Sequence, residues 1–186
     1  MKFTKTIKLI TDPDRSLRSA HTTLYNTDPD TNLIIDLMRR EGDKLGFIPI
    51  TSLLTQIHKF DTLIWQKDQH GHKIGYLIHS HPRPNTPIHV HLTVIDIDKR
   101  RRKHATRAVY QLIRKAYESN APEIRLRCAA DLQANLFWQE LNFRLIATVP
   151  NMRKHERDIN IYQLTRDQFK TITHETLIAI PNIPYQ

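Results

Sequence analysis

The sequence predicts an α/β protein in which a mixed, mostly antiparallel sheet is flanked by helices. Three observations carry this. Apolar residues recur at helical spacing in several separate segments, β-branched runs of strand length lie between them, and the segments follow the order α-α-β-β-β-α-β-α-β-β. With 186 residues the chain can bury one core of ordinary size, and no repeat, low-complexity tract or Gly/Ser linker divides it. A single domain is expected, with a core over residues 32–164, an N-terminal extension (1–31) and a C-terminal one (165–186).

The first helix is marked by Leu33, Ile34, Leu37, Met38 and Leu45. Pro49 followed by Thr51 or Ser52 starts a second, carrying Leu53, Leu54 and Ile57. Residues 62–65 and 74–79 are rich in strand formers and are separated by the turn Gln69-His70-Gly71-His72, which makes them a hairpin. Pro82, Pro84 and Pro87 then interrupt the chain before a third strand over residues 88–97. From His104 the apolar residues Ala105, Ala108, Val109, Leu112, Ile113 and Ala116 follow one helical face, with Arg107, Arg114, Lys115 and Glu118 facing outward. Asn120-Ala121-Pro122 ends that helix, and residues 123–128 alternate as a short strand. Ala134, Phe137, Trp138 and Leu141 mark another helix, and residues 143–149 and 159–164 are a closing pair of strands. Residues 176–180 are expected to add an edge strand or a contact in a homodimer.

Lys and Arg number 28 against 19 Asp and Glu, an excess of nine positive charges that favours anionic partners such as CoA phosphates or nucleic acid. One cysteine, Cys128, excludes an internal disulfide and a multi-cysteine zinc site, and reads as a buried apolar thiol. No stretch approaches the roughly 20 apolar residues that span a bilayer, and residues 1–12 lack a signal peptide's apolar region, so a cytoplasmic protein with no membrane partner is expected. His79, His81, His89 and His91 fall two by two on neighbouring strands, a spacing transition metals use. No partner Cys and no H-x-x-x-H helix accompanies them, and no metal is assigned.

The chemistry-bearing segment is the basic loop between the third strand and the helix from His104. A helix start offers unpaired N–H groups and a positive dipole end, so basic residues there make a phosphate site. The loop reads Lys99-Arg100-Arg101-Arg102-Lys103-His104-Ala105-Thr106-Arg107. Here the chain resembles the GNAT (Gcn5-related N-acetyltransferase) superfamily, whose motif Q/R-x-x-G-x-G/A aligns with Arg101-Arg102-Lys103-His104-Ala105-Thr106. A second segment, from Asp131 through Asn135 and Trp138 to Phe143, is similar to the family's "N-x-x-A-x-x-x-Y-x-x-x-G-F" signature, and Gly75-Tyr76-Leu77-Ile78 to its "G-x-hydrophobic" strand. "LGFIP" (Leu45 to Pro49) and "CAxDLxANxFW" (Cys128 to Trp138) are similar to a poorly characterised bacterial and phage branch.

The resemblance implies the GNAT fold and an acyl-CoA-dependent N-acyltransferase that moves an acetyl group from acetyl-CoA to a primary amine by direct attack. It implies a pyrophosphate site at Arg101, Arg102, Lys103, His104, Ala105, Thr106 and Arg107, and a thioester contact from the backbone of Ile95, Asp96 or Ile97. Asn135 would bond the cofactor arm and Trp138 line the acyl pocket or serve as a core aromatic. His89, His91 and Asp96 are the candidate bases, with Tyr162 as a spare acid. The chain departs from the pattern in two places. His104 and Thr106 replace both loop glycines, whose lost amide contacts the run of five cations offsets by charge, and Trp138 replaces the motif tyrosine with a side chain that cannot release a proton. The alternative reading is a GNAT fold acting on nucleic acid, as a base-modifying acyltransferase or a binder, with charge from Arg114, Lys115, Arg125, Arg127, Arg153, Lys154 and Arg157.

Overall fold

The computed structural model describes residues 29–41, 63–150 and 157–179. Helix α1 (Pro29–Arg40) precedes three strands, β1 (Leu63–Lys67), β2 (Lys73–His79) and β3 (Ile88–Ile95). A 3-10 turn (Ile97–Lys99) leads to α2 (His104–Glu118), then β4 (Glu123–Ala129), α3 (Ala134–Glu140), β5 (Arg144–Val149), β6 (Ile159–Thr165) and α4 (Arg166–Ala179). The second expected helix and the "LGFIP" segment lie outside the described residues.

The six strands form one sheet in the order β1-β2-β3-β4-β6-β5. Every pairing is antiparallel except β3 with β4. Helix α2 is the crossover that makes the parallel pair possible. Its stripe of Ala108, Val109, Leu112, Ile113 and Ala116 packs with Leu77, Val90, Leu126, Tyr162 and Phe169 on one face of the sheet. On the other face α1 sets Ile34, Leu37 and Met38 against Tyr76, Ile78, Leu92 and Val94.

Both α2 and α3 stop the same way. Asn120 and Asn142 take left-handed φ values of 60° and 63°. Each follows a pair of overlapping bonds, Ala121 N–H to the Ala116 carbonyl (3.0 Å) with Asn120 N–H to Tyr117 (3.2 Å), and Phe143 N–H to Trp138 (3.0 Å) with Asn142 N–H to Gln139 (2.9 Å). This is the Schellman closure, with asparagine in the place glycine usually takes.

Two expectations are corrected. The third strand ends at Ile95, because the Asp96 carboxylate accepts the Asp98 N–H and turns the chain into the 3-10 turn; Ile97 is therefore off the strand and 53% exposed. Residues 176–179 belong to α4 and form no edge strand. That helix starts on a capping arrangement, Gln168 accepting the Thr165 N–H at 2.9 Å, and buries Phe169 and Ile172, so the core extends past residue 164.

Candidate functional site

The parallel pair is where the sheet opens. β3 and β4 are in register only at Ile88/Ile124, His89/Arg125 and Val90/Leu126, after which β3 runs on to Ile95 and β4 to Ala129 without pairing. The cause is in β3. Its register with β2 pairs Ile78 with Leu92 but His79 with Val90, so His91 is an extra residue, a β-bulge that bends the strand at the point where it leaves β4. A wedge results, widening toward the carboxyl ends of the two parallel strands, where open α/β sheets take their ligands.

The bulge also resets which backbone groups face the wedge. Asp96 N–H bonds the Ile74 carbonyl at 2.9 Å, so Asp96, Val94 and Leu92 point their amides at β2, and by strand alternation Ile95 and Thr93 point theirs into the opening. Of the residues expected to make a backbone contact, Ile95 directs its N–H into the opening and Asp96 directs its own to β2, while Thr93 faces the same way as Ile95. Gly75 lets the strands approach there, since a Cβ on it would stand 2.5 Å from both the Val94 carbonyl oxygen and Ile95 Cδ1.

At the wedge mouth the five consecutive cations divide into two groups. Arg100 is scaffolding, its guanidinium paired with the buried Glu41 and its Nε donating to the Ile95 carbonyl at 3.1 Å. Lys99 lies 4.0 Å from Asp68, and Asp96 is held by Arg40 at 3.2 Å. Arg101, Arg102 and Lys103 are exposed and have no carboxylate partner among the described residues. Arg101 and Lys103 are left-handed, with φ of 60° and 62°. Among the described residues the N–H groups of Arg101 through Thr106 have no acceptor, the first bond of α2 being Arg107 N–H to the Lys103 carbonyl at 3.0 Å. Alternating left-handed residues at a helix start curl successive amides into a concavity that suits an anion.

His104 and Thr106 lie within α2, and the left-handed residue that precedes the helix is Lys103. His104 is buried, and burial first, then the charges of Arg107 and Arg102, push its pKa down, keeping it neutral at pH 7.

The other predicted residues are spread out. His89 is exposed at the closed end of the wedge, beside Arg125, while His91 is half-buried at the bulge, its pKa lowered by burial and then by His89. Asn135 is buried and fully engaged. Its Nδ2 donates to the carbonyls of Ala129 (2.8 Å), Ala130 (3.2 Å) and Leu132 (2.6 Å), and its Oδ1 accepts from Asn160 (2.9 Å) and Tyr162 (3.0 Å). Asn135 therefore ties the β4–α3 loop to β6, and Tyr162 belongs to that network. Trp138 is a core aromatic, edge-on to Phe137 and Phe143 at 4.9 and 5.3 Å between centroids. Burial pushes the Cys128 thiol up to about 11, which keeps it protonated and poorly nucleophilic. Among the described residues no three His, Cys, Asp or Glu side chains converge as a metal set requires, and no helix is long and apolar enough to cross a membrane. A depression of about 450 Å³ lined by Gln139, Asn142, Phe143, Arg144, Gln168, Thr171 and Ile172 lies elsewhere, between α3, β5 and α4.

No protein-family model and no curated protein matches the sequence. Solved structures do match. Ard1 from Thermoplasma volcanium superposes with a TM-score of 0.63 at 16% identity, over 75% of this chain and 93% of that one. A "probable acetyltransferase (GNAT family)" from Chromobacterium violaceum gives 0.60 at 19%, over 72% and 82%. An aminoglycoside 6'-N-acetyltransferase complexed with coenzyme A gives 0.60 at 13%, over 76% and 94%. At these identities the likeness is one of architecture, and the fold of this chain is that of the GNAT acetyltransferases.

Proposed function

We propose that the chain is an acyl-CoA-dependent N-acyltransferase that transfers an acetyl group from acetyl-CoA to a primary amine by direct attack. The observation that carries this is the meeting of two features at one place, a wedge between parallel strands and a run of unpartnered amides and free cations at its mouth. The group tests well against the residues present. The amides of Arg101 through Thr106, with the side chains of Arg101, Arg102 and Lys103, would hold the diphosphate by charge-assisted bonds, and the Ile95 and Thr93 amides would hold the acyl-pantetheine arm. When bound, acetyl-CoA supplies an acyl group activated as a thioester.

The chain's own residues then have few tasks. An N–H aimed into the wedge from Ile95 or Thr93 is a fixed donor for the oxygen on which charge develops, and it costs no reorganisation. His91, kept neutral at pH 7 and placed at the bulge, is the candidate base that stays adjacent to the opening. Asp96 is committed to Arg40 and to capping the 3-10 turn, so it serves the loop and not the proton. Three of the seven charges that favour a nucleic-acid reading are internally compensated, Arg114 by Glu118, Arg125 by Glu123 and Arg157 by Asp131.

Titration calorimetry with acetyl-CoA tests the reading. Binding in the micromolar range is expected, and Arg101→Ala with Lys103→Ala should weaken it at least about tenfold and flatten its salt dependence. Release of free CoA that depends on an added primary amine should accompany it. No heat and no thermal shift at millimolar acetyl-CoA would defeat the proposal.

A further inference from the structure

One polar atom in the wedge has no use in the fold. Thr93 is half-buried, but its hydroxyl oxygen is closed off from solvent and has no hydrogen-bond partner. A buried hydroxyl in that condition is uncommon, because a donor removed from water without a partner is destabilising. Its position gives it a purpose. Thr93 is the cross-strand neighbour of Leu77, which packs in the core beneath α2, so its side chain lies on the α2 face of the sheet. It follows Val90, the last residue of β3 paired with β4, by three residues, and it precedes Ile95 by two, roughly 7 Å deeper from the mouth. The amide N–H of the same residue points into the opening. From the mouth inward, the wedge thus offers the amides of the α2 start, the Ile95 N–H, the Thr93 N–H and the Thr93 hydroxyl.

We infer that the Thr93 hydroxyl is a ligand group of the wedge, a donor to a carbonyl of the acyl-pantetheine arm. The inference rests on the acyl-CoA reading above. It adds a side chain to a set otherwise made of backbone and loop cations, and it explains why a threonine stands among Val90, Leu92, Val94 and Ile95, where valine would fit the same space without an orphaned donor. Neither the motif nor the periodicity of the strand marks this residue, because the bulge at His91 decides which face it takes.

The test compares the full chain with Thr93→Val and Thr93→Ser, measuring both the melting temperature without ligand and the affinity for two probes, acetyl-CoA and an adenosine bisphosphate lacking the pantetheine arm. Thr93→Val should melt at or above the parent, since it removes an unsatisfied group and keeps the shape. It should bind acetyl-CoA about five- to tenfold more weakly, the loss of one neutral hydrogen bond, yet bind the adenosine bisphosphate as the parent does. Thr93→Ser should keep the parent's acetyl-CoA affinity. A Thr93→Val variant that melts well below the parent would show that the hydroxyl serves the fold, and one that binds acetyl-CoA undiminished would show that it serves nothing in the wedge. Either overturns the inference while leaving the acyl-CoA reading intact. Failure of the parent chain itself to bind acetyl-CoA would overturn both.

Discussion

Replacing Asn135 separates a structural hub from a cofactor contact. The carboxamide makes five hydrogen bonds, three to carbonyls at the end of β4 and in the loop that follows it and two from Asn160 and Tyr162. In Asn135→Ala the Tyr162 oxygen still accepts from Gln139 at 3.2 Å, and the Asn160 side-chain carbonyl still accepts from Thr148 at 2.7 Å. The Tyr162 O–H and the Asn160 amide donor are both left buried without their acceptor, and three carbonyls lose their common donor. Each stranded buried donor costs about 1–3 kcal/mol, so with two we expect a total near ~2–6 kcal/mol. For a chain of this length that lowers the melting temperature by roughly 5–20 °C. Asn135→Asp should be worse, since a carboxylate cannot donate to three carbonyls. Urea melts with an unchanged slope would measure the loss directly. An Asn135→Ala chain that melts within a degree of the parent while its acetyl-CoA affinity collapses would refute this and return Asn135 to the cofactor.

Two further substitutions probe the scaffold. Gly75→Ala places a methyl against the Val94 carbonyl, which cannot swing aside, so a loss of about 2–3 kcal/mol is expected in a denaturant melt. The same change should weaken acetyl-CoA binding because Ile95 is displaced with it; a neutral effect on both would mean that β2 and β3 are not held this closely. His79 is fully buried, and burial, then the charge of Lys115 and its neighbouring histidines, lowers its pKa to about 4. The unfolded chain takes up this proton first, between its ordinary value near 6.5 and 4, so stability is full above about pH 6.5 and falls as pH drops toward 4, by on the order of 3 kcal/mol. Stability measured across that range should flatten in His79→Asn, whose amide can still donate to the Ser80 carbonyl as the ring does at 2.8 Å; an unchanged slope would place the acid sensitivity elsewhere.

The features carried by local sequence were legible, and those carried by distant partners were not. The α2 stripe, the β1–β2 hairpin and the basic loop before His104 each depend on neighbours within a few residues, and the fold class follows from their order. The wedge depends on one extra residue, His91, which alternation cannot reveal because a bulge leaves a run of strand formers intact. The roles within the cation run were equally hidden, since what ties down Arg100 is Glu41, far away in sequence. Asn135 fits the family signature as a cofactor contact, yet its five partners come from the end of β4, the adjoining loop and β6. One missed feature was readable: Thr165-Arg166-Asp167-Gln168 has the spacing of a capping box and announces α4.

If acetyl-CoA enters the wedge with its diphosphate on the start of α2, an amide-resolved NMR titration of the chain with acetyl-CoA will register it. The N–H signals of Arg101 through Thr106 should shift together with those of Thr93 and Ile95, while those of Asn142 and Arg144 beside the remote depression should stay fixed. Shifts confined to that depression, or binding that leaves Arg101 through Thr106 unmoved, would contradict that placement.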